Sequence, residues 1–181
     1  MSGVFAEFAA SDGPTGLEAA ANLTSEAMRR GSTVYWCGNG GSAGDAQHLA
    51  TELVGRFGQT GRGYPSIALT TDTSLLTAIA NDFGYEYVFE RQIEALVRAG
   101  DVVIGISTSG RSPNVIQALA AARGRGARTI AFTGPEPSEL AAQADVVIRA
   151  PGNRPTEIQT CHIAVGQLML ERAIVLAEAE G

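Results

Sequence analysis

The chain has 181 residues, 45% hydrophobic and 18% charged, with a formal net charge of −6. That is enough chain for one well-filled core, and the acidic balance argues against nucleic acid as a partner, because a phosphate backbone needs a basic stripe. Every basic residue is an arginine, so no lysine is available for Schiff-base chemistry.

Residues 4–30 read as a helix. Phe5, Phe8, Leu17, Ala20, Leu23 and Met28 keep a partial helical period, broken at Gly13-Pro14. Thr33 to Cys37 is a short apolar strand, followed by the turn Gly38-Asn39-Gly40-Gly41-Ser42 and a helix over 43–57. Residues 58–65 form a loop with three glycines. A strand over 66–69 and helices over 73–80 and 86–98 come next. Val102, Val103, Ile104 and Ile106 form the near-continuous apolar run of a buried parallel strand over 101–106. A polar turn over 107–112 opens a helix over 113–123, with Pro113 in the first turn, where its missing N–H does no harm. Strands over 128–132 and 146–149 flank a short helix over 138–144. A long helix over 156–178 closes the chain.

Strands alternating with helices at this spacing predict an α/β fold: a doubly wound sheet of five parallel strands flanked by helices. One domain is expected, with an N-terminal helical part over 4–30, an α/β core over 33–150 and a closing helix over 156–178. Ligands in such sheets sit at the carboxyl ends of the strands, near the point where strand order reverses. Both polar turns fall at that edge. The N-terminus has no basic region leading into an apolar stretch, so no secretory signal is expected. No apolar run is seen to approach ~18 residues, so no membrane span is expected either. Cys37 and Cys161 stand alone in apolar segments. They make neither a zinc spacing nor a disulfide framework, and read as free buried thiols in a reducing cytosol.

Four segments carry chemistry. In the first, Ser107, Thr108, Ser109 and Ser112 place four hydroxyls within six residues where a strand runs into a helix. Free N–H groups and hydroxyls at a helix N-terminus make a phosphate site. Ordinary capping accounts for one hydroxyl, not four, and without a lysine this is no nucleotide P-loop. In the second, the glycines of the turn 38–42 allow close backbone approach to a ligand. In the third, His48 and Glu52 lie four apart and share a helix face just after that turn. They read as a surface pair, or as a general base and a metal ligand. The fourth, Gln159 to His162 with Gln167 two turns on, says little by itself, since a lone histidine on an apolar helix is usually a core residue. Asn81 and Asp82, between two helices, read as a helix-ending turn or as partners for sugar hydroxyls.

Taken together, the segments CGNGGSAGDAQHLATELVGRF, LTAIANDFGYEYVF, GISTSGRSPNVI and IQTCHIAVGQ resemble the SIS-domain (sugar isomerase) family, and within it the phosphoheptose isomerases. The resemblance runs from about residue 30 to 172. It implies a flavodoxin-like three-layer sandwich and an aldose–ketose isomerase that interconverts sedoheptulose 7-phosphate and D-glycero-D-manno-heptose 7-phosphate through an enediol. It implies a phosphate cradle from Ser107, Thr108, Ser109 and Ser112, and substrate contacts from Asn39, Gly40, Gly41, Ser42, Asn81, Asp82 and Gln159. Glu52 matches the catalytic carboxylate. Zinc is implied at His48, Glu52, Gln159 and the position of Gln167, where the family usually has a histidine serving as ligand and acid/base partner. A glutamine amide there coordinates zinc weakly and cannot shuttle protons at neutral pH. A cytoplasmic homotetramer with interfacial sites is also implied, with no membrane or nucleic-acid partner. Two other readings fit the same motifs. One is an isomerase of another sugar phosphate, such as an eight-carbon ketose phosphate in antibiotic biosynthesis. The other is a non-catalytic relative that binds a replication initiator, but such relatives lack a carboxylate at the position of Glu52.

Overall fold

The computed structural model describes residues 2–55 and 63–179. Five strands, β1 (Val34–Gly38), β2 (Ser66–Ala68), β3 (Val102–Ile106), β4 (Arg128–Thr133) and β5 (Val146–Arg149), form one parallel sheet in the order β2-β1-β3-β4-β5. This is the expected doubly wound sheet. The chain moves outward from β1 to β2, then returns past β1 to β3. The reversal therefore lies between β1 and β3, whose ends are level: Gly38 pairs with Ile106.

Among the described residues, eight helices surround the sheet: α1 (Ser2–Ala10), α2 (Gly13–Arg30), α3 (Gly41–Gly55), α4 (Thr73–Asp82), α5 (Glu90–Leu96), α6 (Pro113–Gly124), α7 (Glu139–Ala142) and α8 (Pro155–Ala179). Alternation along each strand separates two cores. Val34, Trp36, Ile104, Ile130 and Phe132 face α2, α3 and α8, where Met28, Leu49 and Met169 fill the space. Tyr35, Val103 and Ala131 face Phe89, Ile93 and Leu119 of the other layer.

Three helical expectations are corrected. The stretch 4–30 is two helices: Pro14 cannot donate to the preceding turn, so α1 stops at Ala10 and α2 starts afresh with proline in its first turn. The expected helix 86–98 is a 3₁₀ turn over Tyr85–Tyr87 and the shorter α5, which ends where Val97 turns extended. The closing helix α8 is, by length and composition, apolar enough to cross a membrane, contrary to the reading of the runs. Half of that stretch is buried inside the protein, as in a core helix. The glycine loop expected over 58–65 and the end of the helix expected over 43–57 lie largely outside the described residues.

Candidate active site

The glycine turn follows β1 directly. Gly40 adopts a left-handed φ of 55°, which only glycine takes without cost. A Cβ on Gly38 would lie 2.8 Å from the Ser42 carbonyl oxygen, and one on Gly41 would strike the Gln159 amide. The chain therefore passes close under α8, and Ser42 is buried as α3 begins.

The hydroxyl turn follows β3. Gly105, inside the strand, lets α6 approach closely, since a Cβ there would meet Val115 at 2.8 Å. Ser112 precedes the first turn of α6, but its hydroxyl makes no cap. Instead it pairs with Ser107 at 3.0 Å, and Ser107 reaches Ser109 at 3.5 Å. The Arg111 backbone N–H donates to Ser109 at 3.2 Å. Three of the four hydroxyls thus gather at the start of α6 without being consumed by it, which suits a phosphate. Thr108, Ser109 and Arg111 line a cleft of about 350 Å³ together with Gly134, Glu136 and Asn153. Arg111 places a cation beside the hydroxyls, a contribution the sequence reading missed.

The two turns are tied together. Asn39 and Asn114 exchange amide hydrogen bonds of 2.8 and 2.9 Å, and the Tyr85 hydroxyl donates to the Asn39 oxygen at 3.1 Å. Asn39, expected to contact substrate, therefore spends its side chain on holding the turns. Neither Asn114 nor Tyr85 was singled out from the sequence.

Helices α3 and α8 form a polar seam. They run in parallel, with Gly41 against Gln159 and Leu49 against Gly166, and His48 against Gln167. His48 Nε2 lies 3.0 Å from Glu52 Oε1 and 3.1 Å from the Gln167 amide nitrogen. The Glu52 side chain is 21% exposed, that of His48 52%. His48 and Glu52 on α3 and Gln159 and Gln167 on α8 thus lie along one helix pair, with Gln159 nearer its start. Asp45 joins them unannounced, three residues before His48 on the same face. It is buried, and its Oδ2 has no hydrogen-bond partner. Burial lifts its carboxyl above the usual range; the Gln159 amide and His48 offset part of this without giving Oδ2 a bond.

Asn81 and Asp82 stand apart. They end α4 on an exposed face and bond to each other, Asn81 Nδ2 to Asp82 Oδ1 at 2.8 Å. His162 is a core residue: fully buried, 2.9 Å from the Thr133 carbonyl oxygen and edge-on to Phe132. Burial pushes its pKa down to about 4, so it is neutral at pH 7 and its Nε2–H donates to Thr133. Cys37 and Cys161 are free and buried, and burial raises their thiols to about 12 and about 11.

The residues fit zinc poorly. The seam offers one imidazole, the Glu52 and Asp45 carboxylates and two amides, and among the described residues no three His, Cys, Asp or Glu side chains come together to hold a metal. Zinc sites draw on imidazole, thiolate and carboxylate, and neutral amides are weak substitutes.

Comparison with known proteins places this geometry. The SIS domain family matches residues 5–134. A phosphoheptose isomerase of Roseiflexus sp. is 53% identical over 146 residues, covering 81% of this chain and 74% of that protein. One from Aquifex aeolicus is 52% identical over 151 residues, covering 83% and 79%. The solved structure of phosphoheptose isomerase GmhA from Neisseria gonorrhoeae aligns with a TM-score of 0.87 at 40% identity, over 95% of this chain and 91% of that one.

Proposed function

The chain belongs to the SIS domain family, and from that premise we infer an aldose–ketose isomerase that interconverts sedoheptulose 7-phosphate and D-glycero-D-manno-heptose 7-phosphate. That it is a sugar-phosphate isomerase follows from relatives about half identical over most of its length. The observation that carries the chemistry is the Glu52 carboxylate, mostly buried on the helix that leaves the glycine turn and bonded to His48.

The ketose and aldose differ by one proton moved between C1 and C2 and one moved between their oxygens. Glu52 takes the carbon-bound proton and returns it to the neighbouring carbon. The phosphate rests on Thr108, Ser109 and Ser112, with Ser107 orienting them. Backbone N–H groups of Gly40 and Gly41 face the sugar, that of Ser42 being taken by the Asn39 carbonyl at 3.0 Å, and Gln159 presents its amide from above the turn. Gln167 acts on His48 rather than on the proton itself. Asn81 and Asp82 require a second subunit. α4 buries none of its residues, and Leu75, Phe83, Tyr85 and Tyr87 are exposed on it and on the turn that follows. Such a patch suits a self-association face, and burying it would enclose Asn81 and Asp82 in a homotetramer's interfacial site. Two unpaired thiols suit the cytoplasm.

An NMR time course with sedoheptulose 7-phosphate tests the reading. The wild-type protein is expected to form the aldose, and Glu52→Gln, nearly isosteric, to lose at least ~100-fold in kcat with its fold intact. A Glu52→Gln protein of unchanged rate removes the assignment of the base.

A further inference from the structure

We infer that a hydrogen-bonded triad, Gln167–His48–Glu52, takes the place that the family resemblance gives to zinc, and that this chain retains no zinc there. The role of Glu52 as base rests on the isomerase reading; the metal question rests on the side chains alone.

His48 Nε2 faces two groups, Glu52 Oε1 at 3.0 Å and the Gln167 amide at 3.1 Å. An ionised carboxylate can only accept, so this ring nitrogen carries the proton and donates to Glu52. Nε2 then has no lone pair for an amide N–H. The oxygen and nitrogen of a glutamine amide exchange by a simple flip, so Gln167 turns its oxygen to the ring and shares the same proton. The outcome is one tautomer of His48, held from α8, with its proton between Glu52 and Gln167.

A protonated Nε2 is not a metal ligand. Zinc would have to displace that proton and the bond to Glu52, and would gain one imidazole, one carboxylate and two neutral amide oxygens. Among the described residues of this chain, no further metal-binding side chain joins His48 and Glu52. His162 is bonded to Thr133 on the far side of α8, both thiols are buried, and Asp45 does not complete a three-residue cluster with His48 and Glu52. Gln167 in this setting is a positioning residue. It fixes the ring that lies against the base, and the enediolate charge falls to N–H and O–H donors rather than to a cation.

The test uses the whole purified protein. Zinc content is measured after dialysis, and zinc is then titrated calorimetrically into wild type, Gln167→His and Gln167→Glu. Wild type is expected to keep no stoichiometric zinc and to show no saturable binding below ~10 µM, while the variants, with a third ionic or imidazole ligand, bind one equivalent at least ~100-fold more tightly. Wild-type turnover is expected to be unchanged by chelator. One zinc per chain surviving dialysis of the wild type, or turnover abolished by chelator, overturns the inference. So does a failure of both folded variants to gain zinc, because the seam would then not bring these side chains together. Absence of turnover with and without zinc counts against the substrate reading instead, since zinc content and titration decide this point without any activity.

Discussion

Asn39 and Asn114 exchange two side-chain hydrogen bonds across the point where the sheet's strand order reverses. Each amide is donor and acceptor to the other, and Asn114 is buried. The glycine turn and the hydroxyl turn are therefore held at a fixed separation by a pair of groups that need not touch substrate. Asn114→Ala leaves the Asn39 amide N–H without its acceptor, while Tyr85 still serves the oxygen, which costs about 1–3 kcal/mol. It is expected to lower Tm and to raise KM, because both turns face the ligand. Thermal unfolding with steady-state kinetics checks it; an unchanged KM would mean that the tie does not set the spacing of the turns.

The phosphate end is tested by Ser109→Ala and Arg111→Met. Each removes a partner from the cleft wall, one a neutral hydrogen bond and one a charge. KM for the sugar phosphate is expected to rise roughly 5-fold for the serine and roughly 10- to 100-fold for the arginine, with kcat nearly constant, as when uniform binding is lost. Inhibition by inorganic phosphate should weaken in parallel. If Arg111→Met instead lowers kcat at constant KM, the guanidinium does not serve the phosphate.

Acid sensitivity is predicted from His162. Its pKa falls from 6.5 in an unfolded chain to about 4 in the fold because burial disfavours the charged ring. The unfolded state then binds more protons between those values. Its contribution to stability is complete above pH 6.5 and is lost as pH falls toward 4, by at most about 3 kcal/mol at 1.36 kcal/mol per unit. Urea unfolding between pH 4 and 7 should show the slope, and His162→Gln, which keeps a donor for Thr133, should flatten it. An equal slope in both proteins would assign the acid sensitivity elsewhere.

The seam itself is tested by Gly166→Ala. The added methyl would sit 2.7 Å from Leu49 Cδ1, and such overpacking costs about 1–3 kcal/mol. With Leu49 fully buried, α3 and α8 are expected to part slightly to admit the methyl, so that His48 and Gln167 separate as well. The expected result is a lower Tm together with a lower kcat, and a lower Tm with full kcat would show that the seam tolerates the shift.

Much of this was legible in advance, and the parts that were not share a cause. The strand β3, the two turns and the shared face of His48 and Glu52 are local patterns, set by apolar runs and by a four-residue spacing. Asn114 beside Pro113 looks like any polar residue in a first helical turn, and its partner lies 75 residues earlier. Asp45 had a local signal, three residues before His48 on the same face, but only packing against α8 buries it. Gly13-Pro14 announced an interruption, and whether it would kink one helix or divide two depended on how the short α1 packs. Arg111 carried no signal, because much of the lining of its cleft comes from segments after β4 and β5. Exposure of Asn81 and Asp82 was beyond reach, since a single chain's periodicity says nothing about a second subunit.

The α3–α8 seam also ties competence to folding. His48 and Gln167 are 119 residues apart, and α8 closes one face of the sheet, its Val165, Met169 and Leu170 sharing a core with Trp36, Ile104 and Phe132. Until α8 is seated, the base stands without the residue that orients its neighbour, and the amide of Gln159 is missing from above Gly41. The same docking step fills the core and completes the site, so a refolding chain should regain its packed core and its turnover together.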